Sequence, residues 1–212
     1  MNGRFAVDAW ARCQGCRVEH THLIKEVSGR ILAGQSVGLY SAWPVRGNVP
    51  EGVTLTEQQN CAVQLALTPA PAGVLGIVPR IAVVGVGCRK NTPQAAVEAA
   101  FDALLRRTGI SPLAVRRVCS IDLKKDEPGL CAFCADRGFE FITYPADALR
   151  AVEGCFSASA FVQSVTGVDN VCERSAVKGS GGALVEKKFA VEGVTMALAL
   201  APFAPDWSWN NE

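Results

Sequence analysis

The chain has only two histidines, His20 and His22, both in its first third. A cysteine nucleophile further along has no histidine near it in sequence to act as its base, which argues against a Cys–His dyad. Long apolar runs are missing as well. The longest central one, residues 70–78, already contains Pro71 and two glycines and stops at Pro79. That is far short of the ~20 residues a membrane-spanning helix needs. Charge of one sign is also absent, since 21 Lys and Arg stand against 20 Asp and Glu, a formal net charge of +1. No bulk attraction for nucleic acid or an anionic membrane surface remains. The opening MNGRFAVDAWARCQGC has an early Arg4 but neither a continuous apolar stretch nor a small-residue cleavage site, which argues against a secretory leader. These absences lead to the expectation of a soluble, cytoplasmic protein that engages neither nucleic acid nor membrane.

What is present begins with nine cysteines, Cys13, Cys16, Cys61, Cys88, Cys119, Cys131, Cys134, Cys155 and Cys172, an odd number that cannot all pair internally. Without a leader they read as thiols of a reducing compartment. Cys13 with Cys16, and Cys131 with Cys134, have C-x-x-C spacing, and together could make a four-thiolate zinc or iron–sulfur site. Against that, the two pairs lie more than a hundred residues apart. Residues 130–135 also carry the apolar spacing of a helix, on which free cysteine packs as a small hydrophobe. The expectation is that the protein itself holds no metal.

At 212 residues the chain can bury one large core or two small ones. Its first third reads as a helix over 5–13, a helix over 22–33 and strands over 36–41 and 61–67. The second helix puts Leu23, Ile24, Val27, Ile31 and Leu32 on one face, with Gly34 as its C-cap. Residues 68–79, with three prolines and two glycines, are the best candidate for a domain boundary. Beyond it, a strand over 81–86 and the turn 87–92 precede a helix that starts at Pro93 with Thr92 as N-cap and ends at Gly109. A helical turn at Ser111 and Pro112, a strand over 115–121, a helix over 128–137 and a strand over 139–144 follow. Short helices are expected over 145–152 and 159–165, a loop over 167–182, and a closing strand pair over 183–189 and 193–201. Alternating strands and helices define an α/β layered fold, and the closing hairpin makes its sheet mixed. The expected division is 1–79, a small α/β region with its linker, and 80–205, a layered mixed sheet with flanking helices.

Open α/β sheets receive ligands at the carboxyl ends of their strands, so polar loops at those ends carry the candidate chemistry. In the first, Gly85 and Gly87 let backbone amides approach an anion, and Arg89 adds a planar fork for carboxylate or phosphate, beside Cys88 and Lys90. The third glycine of a dinucleotide motif and the Gly-Lys-Ser/Thr of a phosphate loop are both missing. The loop therefore reads either as an anion cradle or as a tight turn with a solvated Arg-Lys pair. The second loop holds Asp122, Lys124, Lys125, Asp126 and Glu127, suited to general acid–base work or to a solvated helix entry. The third brings Cys172, Glu173 and Arg174 together, with Cys172 read as a buried thiol.

Four ordered motifs, GVGCRKNTP, SIDLKKDEPGL, SVTGVDNVCERSAV and GGALVEKKFAVEGVTMALA, resemble the C-terminal domain of the CbiG/CobE cobalamin-biosynthesis family. The front segments FAVDAWARCQGC and IKEVSGRILAGQSVGLYS are similar to the middle region of the longer CbiG proteins. The resemblance runs from Phe5 to about Ala201. It implies a cobalt-precorrin-5A hydrolase, which opens the δ-lactone of the corrin precursor and releases acetaldehyde, or a CobE-like tetrapyrrole-binding module without turnover. It also implies a further N-terminal domain, ending about where this chain begins, as a separate partner. Cobalt would enter with the corrinoid substrate rather than as a resident cofactor. On this reading Asp122, Glu127 and Glu173 are the catalytic candidates. Gly85, Gly87, Cys88, Arg89, Lys90, Lys124, Lys125 and Arg174 would face the carboxylates of the macrocycle, and assembly as a homo-oligomer is a further expectation.

Overall fold

The computed structural model describes residues 4–209, which divide into two compact units. The first comprises the described residues up to Arg80, together with Ile110–Ala114 and the described residues from Phe203 onward. The second comprises Ile81–Gly109 and Val115–Pro202. Among the described residues, no helix is long and apolar enough to cross a membrane.

In the first unit, helix α1 (Val7–Cys13) buries Val7, Ala9, Trp10 and Ala11. Strand β1 (Cys16–Glu19) and helix α2 (Ile24–Leu32) follow, the helix burying Val27 and Ile31. Leu32, assigned above to the same face, is 61% exposed; it sits one step around the helix from Ile31, off the buried stripe. Gly34 takes φ 78° just past the helix end, the left-handed conformation of a C-terminal stop. Strands β2 (Val37–Ser41), β3 (Val53–Leu55), β4 (Val63–Leu65) and β5 (Leu75–Pro79) complete a five-stranded sheet of order β1-β5-β4-β2-β3, in which only β1 runs antiparallel to its neighbour.

The linker expected over 68–79 is half wrong, because all five residues of β5 are buried. A strand covered on both faces is a short continuous apolar run rather than an alternating one, and the prolines that mimic a linker lie before β5 or at its last residue. Gly76 is needed within it. A Cβ there would stand 2.8 Å from the Ala70 methyl and 2.9 Å from the Glu19 carboxylate. The end of the chain also departs from the expected division. Trp207 stacks on Trp10 with ring centroids 5.1 Å apart, and Trp10 Nε1 donates to the Asp206 carbonyl at 2.7 Å, so this tail completes the first core.

In the second unit, strand β6 (Ala82–Gly87) leads to helix α3 (Gln94–Thr108), β7 (Val115–Ile121), helix α4 (Pro128–Arg137) and β8 (Glu140–Tyr144). Short helices α5 (Ala146–Arg150) and α6 (Ala160–Thr166) precede helix α7 (Val171–Ser180) and the hairpin of β9 (Ala183–Val191) with β10 (Val194–Leu200). The sheet order is β8-β7-β6-β10-β9; β6, β7 and β8 are parallel, and β10 is antiparallel to both neighbours. This is the expected mixed α/β sheet. Two successive crossovers of the same hand set α3 and α4 side by side on one face, where Phe101 and Phe133 meet edge to face. Helix α3 begins at Gln94 rather than Pro93, and Thr92 does not cap it; its hydroxyl instead donates to the Arg89 carbonyl at 2.8 Å.

The loop expected over 167–182 is instead α7, lying across the sheet. Asn170 caps it, its side chain accepting from Glu173 N at 2.9 Å, and Gly181 at φ 62° stops it. Its glycine, serines and charges look like loop composition because the helix approaches too closely for large side chains. A Cβ on Gly85 would lie 1.7 Å from the Cys172 carbonyl oxygen, and one on Gly179 would lie 2.4 Å from Cys119 Sγ. Ser175 uses the same proximity, donating to the Cys119 carbonyl at 3.2 Å. Small residues replace the apolar stripe from which helices are recognised.

Gly85→Ala should therefore push α7 off the sheet and cost about 3 kcal/mol or more. Gly109→Ala, where a Cβ meets nothing within 4 Å but φ is 68°, should cost only about 1 kcal/mol. Urea denaturation of the two variants against the parent measures both.

Candidate functional site

Strands β6, β7 and β8 release the chain at one edge of the second sheet, and the polar loops follow there. Gly87, the last residue of β6, is held by the Thr195 hydroxyl, which donates to its carbonyl at 3.1 Å. The loop then exposes Arg89 and Lys90, while Cys88 is half-buried. Burial pushes the Cys88 thiol up, and the Lys124 ammonium and a hydrogen bond with Thr92 draw it partly back.

After β7, a helical turn (Asp122–Lys124) exposes Asp122 and Leu123, with Lys125 exposed beside it. Glu127 is only 6% exposed. Its carboxylate accepts from Thr92 N at 3.1 Å and from Lys124 Nζ at 3.1 Å, so it clamps the β6 loop to the β7 loop. Gly129 permits that closeness, since a Cβ there would stand 2.2 Å from the Thr92 carbonyl oxygen. An open cleft of about 550 Å³ lies beside the β7 loop, lined by Ile121, Asp122, Leu123, Lys125, Pro145, Ala146 and Thr166. Asp122 and Lys125 are its charged groups.

Three of the expected site residues are placed elsewhere. Gly85 lies inside β6, where it serves the approach of α7 rather than an anion. Glu173 is fully buried, and its carboxylate accepts from Ser157 N at 2.8 Å, Ser157 Oγ at 2.9 Å and Lys188 N at 2.7 Å. The Lys188 amide is available because β9 bulges there: Phe189 pairs with Met196 and Glu186 with Leu198, leaving Lys187 and Lys188 opposite Ala197. Arg174 donates to Asp169 at 2.7 Å and to the Val152 carbonyl at 2.7 Å, and lies 4.6 Å over the Phe156 ring. Both side chains spend their hydrogen-bonding capacity inside the fold and strap the segment before α6 onto α7. Arg174 holds the Asp169 carboxyl below its ordinary value, first through its hydrogen bonds and further through its charge.

The four buried cysteines, Cys16, Cys119, Cys134 and Cys172, behave as packing groups. Burial pushes Cys16, Cys134 and Cys172 up to about 12. Among the described residues, no group of three or more His, Cys, Asp or Glu is placed to hold a metal ion. A further cleft, of about 640 Å³, lies in the first unit at the carboxyl ends of β2 and β3, between Tyr40, Trp43 and Glu57. It is the larger of the two but holds none of the residues singled out from sequence. The contribution of Pro145, Ala146 and Thr166 to the smaller cleft was not foreseen, because small and apolar residues carry no chemical signature in sequence.

A mixed sheet with charged loops at the ends of its parallel strands defines an α/β protein of the class that receives ligands at a sheet edge. Residues 82–199 match the family model described as Cobalamin synthesis G C-terminus, and residues 5–84 match Cobalamin biosynthesis central region. The chain belongs to the CbiG/CobE cobalamin-biosynthesis family. It is 35% identical over 125 residues to the cobalt-precorrin-5A hydrolase of Salmonella typhimurium, covering 59% of this chain and 36% of that protein. It is 33% identical over 128 residues to that of Priestia megaterium, covering 33% of it. The chain thus spans about a third of the length of these two relatives. Protein CobE of Sinorhizobium sp is 31% identical over 120 residues, 78% of its length. The crystal structure of CobE, a protein from the cobalamin (vitamin B12) biosynthetic pathway, superposes with a TM-score of 0.55 at 26% identity, covering 59% of this chain and 94% of that one.

Glu173→Gln keeps the volume but turns an acceptor oxygen into a donor facing donors, and should cost about 3 kcal/mol by urea denaturation. Asp169, with its lowered value, contributes stability that is complete above its ordinary pKa of about 4 and lost as pH falls through the lowered folded value. Asp169→Asn should be less stable than the parent at pH 7 and should lose less stability between pH 5 and 2, as acid titration followed by circular dichroism would measure.

Proposed function

We propose that the second unit is a CobE-like corrinoid-binding module acting in corrin-ring synthesis, and that it does not hydrolyse the lactone on its own. The observation that carries this reading is the partition of charge at the candidate edge. Glu127, at that edge, and Glu173, away from it, are buried and occupied by internal donors, so neither presents a free carboxylate to a ligand. Arg89, Lys90 and Lys125 are exposed at the loops that follow β6 and β7, and among the described residues none of them makes an ion pair. Lys125 lines the cleft, and exposed cations of this kind suit a macrocycle that carries carboxylates on its rim. The likeness to CobE over most of that protein's length supports the same reading.

The second reading is that the chain forms part of a cobalt-precorrin-5A hydrolase, supported by its likeness to two such enzymes. Asp122 then matters most, because it is the one catalytic candidate whose carboxylate is exposed and lines the cleft, with Lys125 beside it. Asp122 would accept a proton from the water that opens the lactone, and cobalt would arrive inside the substrate. On this reading the family's N-terminal domain is a partner in turnover.

Titration with cobyrinic acid, a cobalt corrinoid whose rim carries free carboxylates, separates these readings when combined with an acetaldehyde assay on lactone-form cobalt-precorrin-5A. Binding without acetaldehyde release is expected both for the chain alone and with the family's N-terminal domain added; release in either case would overturn the binding-module reading. The double variant Arg89→Ala, Lys125→Ala should weaken cobyrinic acid binding about tenfold and flatten its salt dependence.

A further inference from the structure

Helix α6 has an inner and an outer stripe. On the inner stripe, Val162 packs against Ile121, Leu149, Val168 and Val171, and Thr166, one turn on, lines the cleft. Beside that stripe, Phe161 and Val165, also one turn apart and so on one face, are 73% and 62% exposed. Leu123, on the turn that forms another wall of the cleft, is 66% exposed. In the second unit the exposed large apolar side chains are Leu123, Phe161, Val165 and Val185, and all but Val185 belong to the two segments that border this cleft.

The stripe is held in place. Ser159 caps α6, its amide donates to the Asp169 carbonyl at 3.0 Å, and Arg150 Nη1 donates to the Gly167 carbonyl at 2.9 Å just past the helix end. Apolar groups kept at a surface and flanked by polar ones mark a contact site. An occupant that is apolar across a broad face and carries carboxylates at its rim suits this edge: Lys125 lies in the same cleft as Leu123, and the exposed Arg89 and Lys90 on the β6 loop outnumber the cleft's one carboxylate, Asp122.

We infer that α6 and Leu123 form an apolar wall that receives the flat face of a corrinoid macrocycle, while Lys125 meets a rim carboxylate. This rests on the corrinoid-binding reading above and assigns the ring its place within it. The double variant Phe161→Ser, Val165→Ser, and separately Leu123→Ser, should each leave the thermal midpoint unchanged. The double variant should weaken cobyrinic acid binding about tenfold, with the salt dependence of binding retained. Leu123→Ser should weaken it severalfold. Retained salt dependence distinguishes loss of the wall from loss of the cations. If the parent chain binds cobyrinic acid and these variants bind it equally well, the apolar wall is overturned and the binding module stands. If the parent chain does not bind it, both are overturned.

Discussion

Helix α7 lies so close to β6 that a single methyl group at Gly85 would occupy the space of the Cys172 carbonyl oxygen. This contact sets the rest of the second unit. It demands glycine on the strand and small residues along the helix, and it leaves α7 little apolar side chain with which to hold itself down. Polar groups take over that role. Asn170 caps the helix, Glu173 gathers amides from the segment before α6 and from β9, and Arg174 binds carbonyls at the end of α5. Buried and satisfied polar networks of this kind specify one arrangement strongly, because any displacement leaves a charge without partners.

The same reasoning separates the carboxylates. Glu127 and Glu173 both sit near the ends of strands or loops, which from sequence gave them the look of acids and bases. Each proves to be a junction between segments, its oxygens already occupied by donors from within the fold. The groups left for a ligand are the exposed cations of the β6 and β7 loops, Asp122, and the apolar rim of the cleft. On the binding-module reading, such an edge would hold a molecule by its shape and its charge.

Much of this fold is legible from residue patterns, and the failures share a cause. The β6–α3–β7–α4–β8 succession is readable because apolar runs, glycine stops at Gly109 and Gly138, and a proline at the start of α4 mark each boundary. Strand β5 and helix α7 escape because packing, not local preference, decides them. Leu75–Pro79 is a strand only because parallel and antiparallel neighbours cover its backbone, and Val171–Ser180 is a helix whose composition answers to the glycine beneath it. The site is legible to the same degree. Charged residues announce themselves, but whether a carboxylate is free or occupied depends on donors such as Ser157 and Lys188, 16 and 15 residues distant. The exposed apolar side chains Leu123, Phe161 and Val165 have no signature at all until exposure is known.

The division of the chain also bears on the order in which it can fold during synthesis. The second unit is complete once Pro202 has emerged, its residues being continuous except for the insertion Ile110–Ala114. The strands of the first unit all precede those of the second, yet its core needs Trp207 against Trp10 and the Asp206 carbonyl for the indole of Trp10. Of the two units, the one begun first is therefore the one finished last. Until residues 206 and 207 emerge, its five strands are made but the indole of its most buried tryptophan has no cover, and in that interval the nascent chain is most in need of protection.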